Sequence, residues 1–222
     1  MNFSDHLRQV AEPIWHAQFR HPFVRALGTG SLPMKKFRYY ILQDARYLEE
    51  LARVFAAGAE KADDSNTAIR FAQLVEETIV VERGLHESYG KQWKLTAQEM
   101  RSTPLSPTNY AYCRHMRSVV QTGTLGEITA VALPCAWVYC EVGQHLLRKG
   151  QPKPSHPYHE WLSLYGSPEF ANVAKWMRSV VNRCAKHAGK AEKARMEDAF
   201  LISSRYEWMF WDMAWREERW PV

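Results

Sequence analysis

"LGEITAVALPCAWVYCEVGQHLLRK", residues 125–149, is the stretch whose reading decides the fold. Its long apolar run reads as a helix built for burial. Inside that helix stand Pro134, Cys135, Tyr139 and Cys140. Packing alone would accept Leu or Val at position 135, and a proline removes an amide donor, which costs about 3 kcal/mol in an exposed helix interior. Something other than packing has therefore shaped the segment. Cys135 and Tyr139, four positions apart, share a face, whereas Cys135 and Cys140, five apart, point away from each other and do not pair. Pro134 leaves a carbonyl free and can bend the helix at the thiol.

The same helical period extends outward. From residue 32 onward, apolar positions recur at spacings of three and four, and no sustained period-two segment bounded by turn residues appears. The sequence predicts an all-α, single-domain helical bundle over residues 1–222 with eight or so helices. Ser4 is expected to cap a first helix to about 18, and "HPFVRALGTG" reads as a short helix ending in glycines. Long helices are expected over 33–62 and 65–93, the second capped by Asp64 or Ser65. Another starts at Pro107 and ends at "QTGT", and the opening helix spans 125–149. A short helix over "YHEWLSLYG", one capped by Ser167 over 168–188 and a last one over 190–217 complete the chain.

The 222 residues are 46% hydrophobic, enough for one sizeable core. No uninterrupted apolar stretch approaches the roughly 20 residues of a membrane span, and "MNFSDHLRQVAEP" is too charged for the core of a signal peptide. The expectation is a cytoplasmic protein with no membrane partner. The four cysteines show neither a C-x-x-C pair nor the density of a secreted scaffold, so free thiols are expected. A net charge of +5 is spread among 24 acidic residues, which argues against nucleic acid as a partner.

Asp44 and Tyr47 share a helical face that continues through Phe37, Tyr40, Leu48 and Leu51. A carboxylate on an apolar face is either tied to an Arg or Tyr of a neighbouring helix or belongs to a pocket. Tyr112, close behind a helix start, can point its hydroxyl into a pocket or make a surface contact. Glu207 sits among Tyr206, Trp208, Phe210 and Trp211, where desolvation should raise its pKa and make it a proton donor near neutral pH. One thiol and two carboxylates on different helices point to covalent chemistry with acid and base help. Metal ligation competes through Glu82 with His86, Glu141 with His145, and Cys184 with His187, but the Glu-x-x-His spacing of di-iron bundles is missing.

Five ordered motifs resemble the TenA (thiaminase II) family: "HPFVRALGTGSLPMKKFRYYILQDARYL", "SPTNYAYCRHM", "LPCAWVYCEVG", "YHEWLSLYG" and "SSRYEWMFWDMAW". The resemblance covers essentially the whole chain. It implies a haem-oxygenase-like fold without haem or other cofactor, a homotetramer, and a cysteine-nucleophile hydrolase. Such enzymes convert 4-amino-5-aminomethyl-2-methylpyrimidine to the hydroxymethyl compound in thiamin salvage and can cleave thiamin. By the same resemblance Cys135 is the nucleophile, and Asp44 and Glu207 are the polar groups on the ring with exchangeable roles. Tyr47, Tyr112, Tyr139 and Tyr165 line the pocket. Arg46 and Cys113 depart from the family's pattern, and Arg46 is expected to point away from the Asp44 face. The competing implications are a ligand sensor without catalysis and a metal-dependent oxidase using Glu82, His86, Glu141 and His145.

Overall fold

The computed structural model describes residues 1–93, 96, 98, 100, 102–148, 150 and 152–222, with side chains at 81–83, 85–87 and 90–92 left out. Among the described residues there are ten helices and no strand. They are α1 (Phe3–Val10), α2 (Glu12–Arg20), α3 (Pro22–Thr29), α4 (Met34–Glu60) and α5 (Ser65–Trp93), followed by α6 (Pro107–Thr122), α7 (Leu125–Leu147), α8 (His159–Tyr165), α9 (Pro168–His187) and α10 (Lys190–Arg216).

The first expected helix divides in two. Pro13 has no amide to offer the preceding turn, so α1 closes at Ala11 and α2 starts with Pro13 in its first turn. Ser4 is not its cap: Asn2 holds that position, and its amide donates to Asp5. Ser4 is fully buried instead, its amide donating to Asn182 Oδ1 at 2.8 Å and its hydroxyl accepting from Asn182 Nδ2 at 3.1 Å. A short hydroxyl near a chain start reads as a cap when the partner asparagine, 178 residues away, is invisible locally. Three later starts do have side-chain caps. Asp64 Oδ1 accepts from the Thr67 amide at 2.9 Å, Thr124 from Glu127 at 3.3 Å and Ser167 from Phe170 at 3.1 Å.

Helix α7 forms the axis of the core. It runs unbroken through Pro134, and nearly every residue from Leu125 to Gly143 is buried. Its most extensive contacts are with α10 and α9, and α4, α6 and α8 also lie against it. This is the one described helix long and apolar enough to cross a membrane, but 83% of its apolar window is buried inside the protein. Gly143 sets how close α8 comes: a Cβ there would lie 2.5 Å from the backbone carbon of Tyr165. Only glycine permits that approach, because the obstructing atoms are backbone and cannot rotate away. Gly30, at φ +75°, closes α3 in the left-handed conformation and turns the chain toward α4.

Candidate active site

Five helices deliver the seven residues singled out by the sequence. Asp44 and Tyr47 project from α4, Tyr112 from the second turn of α6, Cys135 and Tyr139 from the middle of α7, Tyr165 from the end of α8 and Glu207 from α10. The i,i+3 and i,i+4 spacings bring Asp44 with Tyr47, and Cys135 with Tyr139, onto one face each. The groups then converge: Asp44 and Glu207 both act electrostatically on the Cys135 thiol and on Tyr139, and Tyr165 responds to Asp44 and Cys135.

Glu207 is 2% exposed, and Tyr112 donates to its Oε1 at 2.6 Å. Burial pushes its pKa up to about 8, against the opposing pull of the Tyr112 hydrogen bond and with a further rise from the Asp44 charge. Glu207 is therefore a protonated acid at neutral pH. The Cys135 pKa also lies well above the ordinary thiol value. Burial is the main cause and the charge of Glu207 the next, while the nearby Tyr47 hydroxyl pulls down and Asp44 pushes up. Cys135 therefore rests as a thiol.

Tyr47 Oη is buried beside Cys135, Tyr112 and Glu207 without a hydrogen bond of standard geometry. A donor left so among reactive groups costs about 1–3 kcal/mol, and a bound ligand can satisfy it. On the other flank the Trp161 indole donates to Tyr40 Oη and Tyr40 donates to Tyr139 Oη, each at 3.3 Å. Flat aromatic faces enclose the polar groups: ring centroids lie 4.7 Å apart for Tyr139 and Trp211, 4.9 Å for Tyr139 and Tyr165, and 5.0 Å for Tyr47 and Tyr112. Such a setting suits a flat heteroaromatic ring with polar edges.

Cys135 is more accessible than its neighbours on α7 because it lines a cavity of about 120 Å³. Tyr165 shares that wall, and the rest comes mainly from α4, α5 and α9.

The TENA/THI-4/PQQC family model matches residues 8–217. The chain belongs to this family. Among its TENA/THI-4/PQQC relatives, a Halalkalibacterium halodurans protein named aminopyrimidine aminohydrolase is 41% identical over 99% of this chain and 98% of its own length. A solved structure described as a TenA homologue from P. horikoshii OT3 superimposes with a TM-score of 0.86 at 32% identity, covering 97% of this chain and 99% of its own. A Shewanella denitrificans domain of unknown function with a haem-oxygenase-like fold aligns at a TM-score of 0.73 and 14% identity over 96% of this chain and 92% of its own, which shows the shared fold alone.

Sequence reasoning did not single out Tyr40, Trp161, Phe210 and Trp211, which lie against the candidate residues: Tyr40 bonds to Tyr139, Trp161 to Tyr40, and the Phe210 and Trp211 rings pack on Tyr47 and Tyr139. The spacing held the signal for three of them: Tyr40 lies four before Asp44, and Phe210 and Trp211 lie three and four after Glu207. Trp161 had no comparable local mark. Arg46 points away from the site, as expected, and donates to the Thr103 carbonyl at 3.0 Å. Of the metal pairs, Glu141 pairs with Arg8 at 3.1 Å and His145 packs 4.9 Å from the Phe19 ring centroid. Cys184 and His187 line a separate groove beside the start of α7. The side chains of Glu82 and His86 lie outside the described residues. Among the described residues no group of three or more His, Cys, Asp or Glu gathers as a metal site.

Proposed function

We propose that the protein is an aminopyrimidine aminohydrolase of thiamin salvage, with Cys135 as nucleophile and Glu207 and Asp44 as acid and orienting base. The observation that carries the reading is the convergence of one thiol and two buried carboxylates on a cage of aromatic rings. The hydrolase class is supported by the full-length relative of 41% identity that bears this name. The substrate is 4-amino-5-aminomethyl-2-methylpyrimidine, and thiamin is the alternative.

The ring is a poor electrophile until a ring nitrogen carries a proton. Glu207, held neutral by burial, donates that proton, while Tyr112 fixes one of its oxygens and leaves the other for the ring. Asp44 accepts from the exocyclic amine and favours the cationic ring. That cation reverses the electrostatics at Cys135. Burial and the Asp44 charge disfavour a thiolate in the empty site, but a pyrimidinium beside the sulfur stabilises one. The thiol proton passes to Glu207 as the sulfur adds to the ring carbon, which allows the amine on the exocyclic carbon to leave. Water takes its place, and loss of the sulfur restores the ring. Tyr139, Tyr165 and Tyr47 line the pocket, the Tyr47 donor being free for a substrate atom.

The test is ammonia release and hydroxymethylpyrimidine formation by the purified protein, beside Cys135→Ser and a thiamin control. Turnover that disappears in the variant, with helical signal intact, is the expected result. Binding without turnover by the wild type would remove the hydrolase reading and leave a ligand sensor. The same reading takes residues 1–222 as one domain of a cytoplasmic homotetramer, for which light scattering after size exclusion is the check.

A further inference from the structure

The cavity beside the Cys135 thiol has a different chemistry from the cage that holds the carboxylates. Its lining includes neither carboxylate of the site, and neither Tyr47, Tyr112 nor Tyr139. The walls are Leu48, Leu51, Phe55, Leu74, Leu164 and Val173. Its polar side chains away from the thiol end are already engaged. Thr78 donates its hydroxyl to the Leu74 carbonyl at 2.7 Å, and Arg70 holds Glu77 through both carboxylate oxygens at 2.6 and 3.2 Å. A volume of about 120 Å³ walled this way is on the scale of cavities that take up small apolar molecules.

The thiol therefore stands at a boundary. A pyrimidine places its polar edge among the carboxylates, and whatever hangs from the exocyclic nitrogen next to the reacting carbon extends along the sulfur. Space for it exists on the apolar side.

We propose that this cavity is a leaving-group subsite that receives uncharged, apolar substituents on the exocyclic nitrogen, so that secondary amines R–NH–CH2–pyrimidine are substrates as well as the primary amine. The inference rests on the aminohydrolase reading. The reaction balances as R–NH–CH2–pyrimidine plus water giving R–NH2 plus HO–CH2–pyrimidine. The exocyclic C–N bond breaks with its electron pair on nitrogen, which takes one proton of the water while the hydroxyl goes to carbon. The bond from sulfur to the ring is made and broken once, with no oxidant or reductant consumed. Apolar R groups gain from leaving water, whereas a charged R would be desolvated against walls whose one carboxylate, Glu77, is already held by Arg70.

The experiment compares the wild-type protein on three substrates: the primary amine, its N-propyl derivative and its N-(2-ammonioethyl) derivative. Because the series needs no variant, it does not depend on a mutant folding. The N-propyl compound should show a kcat/KM roughly fiftyfold above the primary amine if all three carbons are buried. The ammonioethyl compound should fall below the primary amine. Equal or lower kcat/KM for the propyl compound, or preference for the cationic chain, overturns the subsite while leaving the hydrolase reading in place. If none of the three turns over, the hydrolase reading fails, and calorimetric binding to the same protein reads the subsite alone. Propyl affinity roughly fiftyfold above the primary amine keeps it, and equal affinity overturns it.

Discussion

Cys113 and Cys135 are both enclosed by protein, and in both burial pushes the thiol pKa up, yet their surroundings have little else in common. Cys113 reaches about 12, and its sulfur lies 3.5 Å from Asn109 Oδ1, a turn earlier on its own helix. Glu50 raises that pKa further and Arg114, Arg46 and Arg117 lower it, charges that belong to the outer face of α4 and α6. Cys135 faces open volume, a neutral acid and a second carboxylate. Burial alone does not mark a reactive thiol. Space for an electrophile and groups that can move its protons do, and only one of the two sulfurs has them.

The largest effect that could break this contrast is a matched pair of substitutions. Cys135→Ser should lower kcat for ammonia release by roughly a thousandfold or more, as expected when a covalent route is lost. Cys113→Ser should stay within about threefold. Comparable losses in both variants, measured with equal helical content, would mean that enclosure rather than the cavity and acid governs function.

The next effect isolates the acid. Glu207→Gln should lower kcat/KM by about a hundredfold or more, within the range for general acid catalysis. Wild-type activity needs the protonated form, so it should fall as pH rises through about 8. The variant's residual activity should lack that limb. Stability carries an independent sign. The folded-state pKa lies above the ordinary glutamate value of 4.5, so between the two the folded protein holds a proton that the unfolded chain has released. The resulting stabilisation is fully present below about 4.5 and is lost progressively up to about 8. Above that pH the glutamine variant should be more stable than wild type, by on the order of 5 kcal/mol before water entry reduces it. Thermal melts at pH 5 and pH 8.5 read the difference, and equal melting shifts at both would place an ionised Glu207 in the resting site.

These two residues were legible in the sequence because each breaks a local rule. A proline and a thiol interrupt an apolar helix, and a carboxylate stands among aromatics. Helix positions were legible for a related reason, since Asp64 and Ser167 accept from amides within the first turn that they cap and Pro107 stands where a helix start has no need of an amide donor. Contacts made across the chain left no such mark. The Ser4 bond to Asn182, the backbone approach of Tyr165 to Gly143 and the Trp161 bond to Tyr40 depend on helices far apart in sequence. The apolar cavity was hidden likewise, because its leucines and valine have the spacing of ordinary core residues and only the fold leaves them facing empty space.

A finer probe keeps the acid and alters only its support. Tyr112→Phe retains the ring that packs 5.0 Å from Tyr47 and removes the donor to Glu207. That hydrogen bond lowers the Glu207 pKa, so its loss should move the basic limb of the activity profile to higher pH. At pH 7, where Glu207 is protonated in both proteins, kcat should change by about tenfold or less. A limb that stays in place would show that the titrating group is not Glu207.

The smallest effect concerns Tyr47, whose hydroxyl is buried beside Cys135 and Tyr112 without a hydrogen bond of standard geometry. If that donor is held for a ligand, Tyr47→Phe should leave the empty protein equally stable or more stable by up to about 1 kcal/mol, because a desolvated donor is removed and the ring stays. The same change should raise KM by a few-fold, since the substrate loses a partner. Melting curves with and without the aminopyrimidine separate the two states: the variant should match or exceed wild type when empty and gain less from ligand. A variant that is less stable when empty would mean that Tyr47 already has a partner in the resting site. The thiol would then rest against a satisfied network, and its difference from Cys113 would come down to the cavity and the two carboxylates.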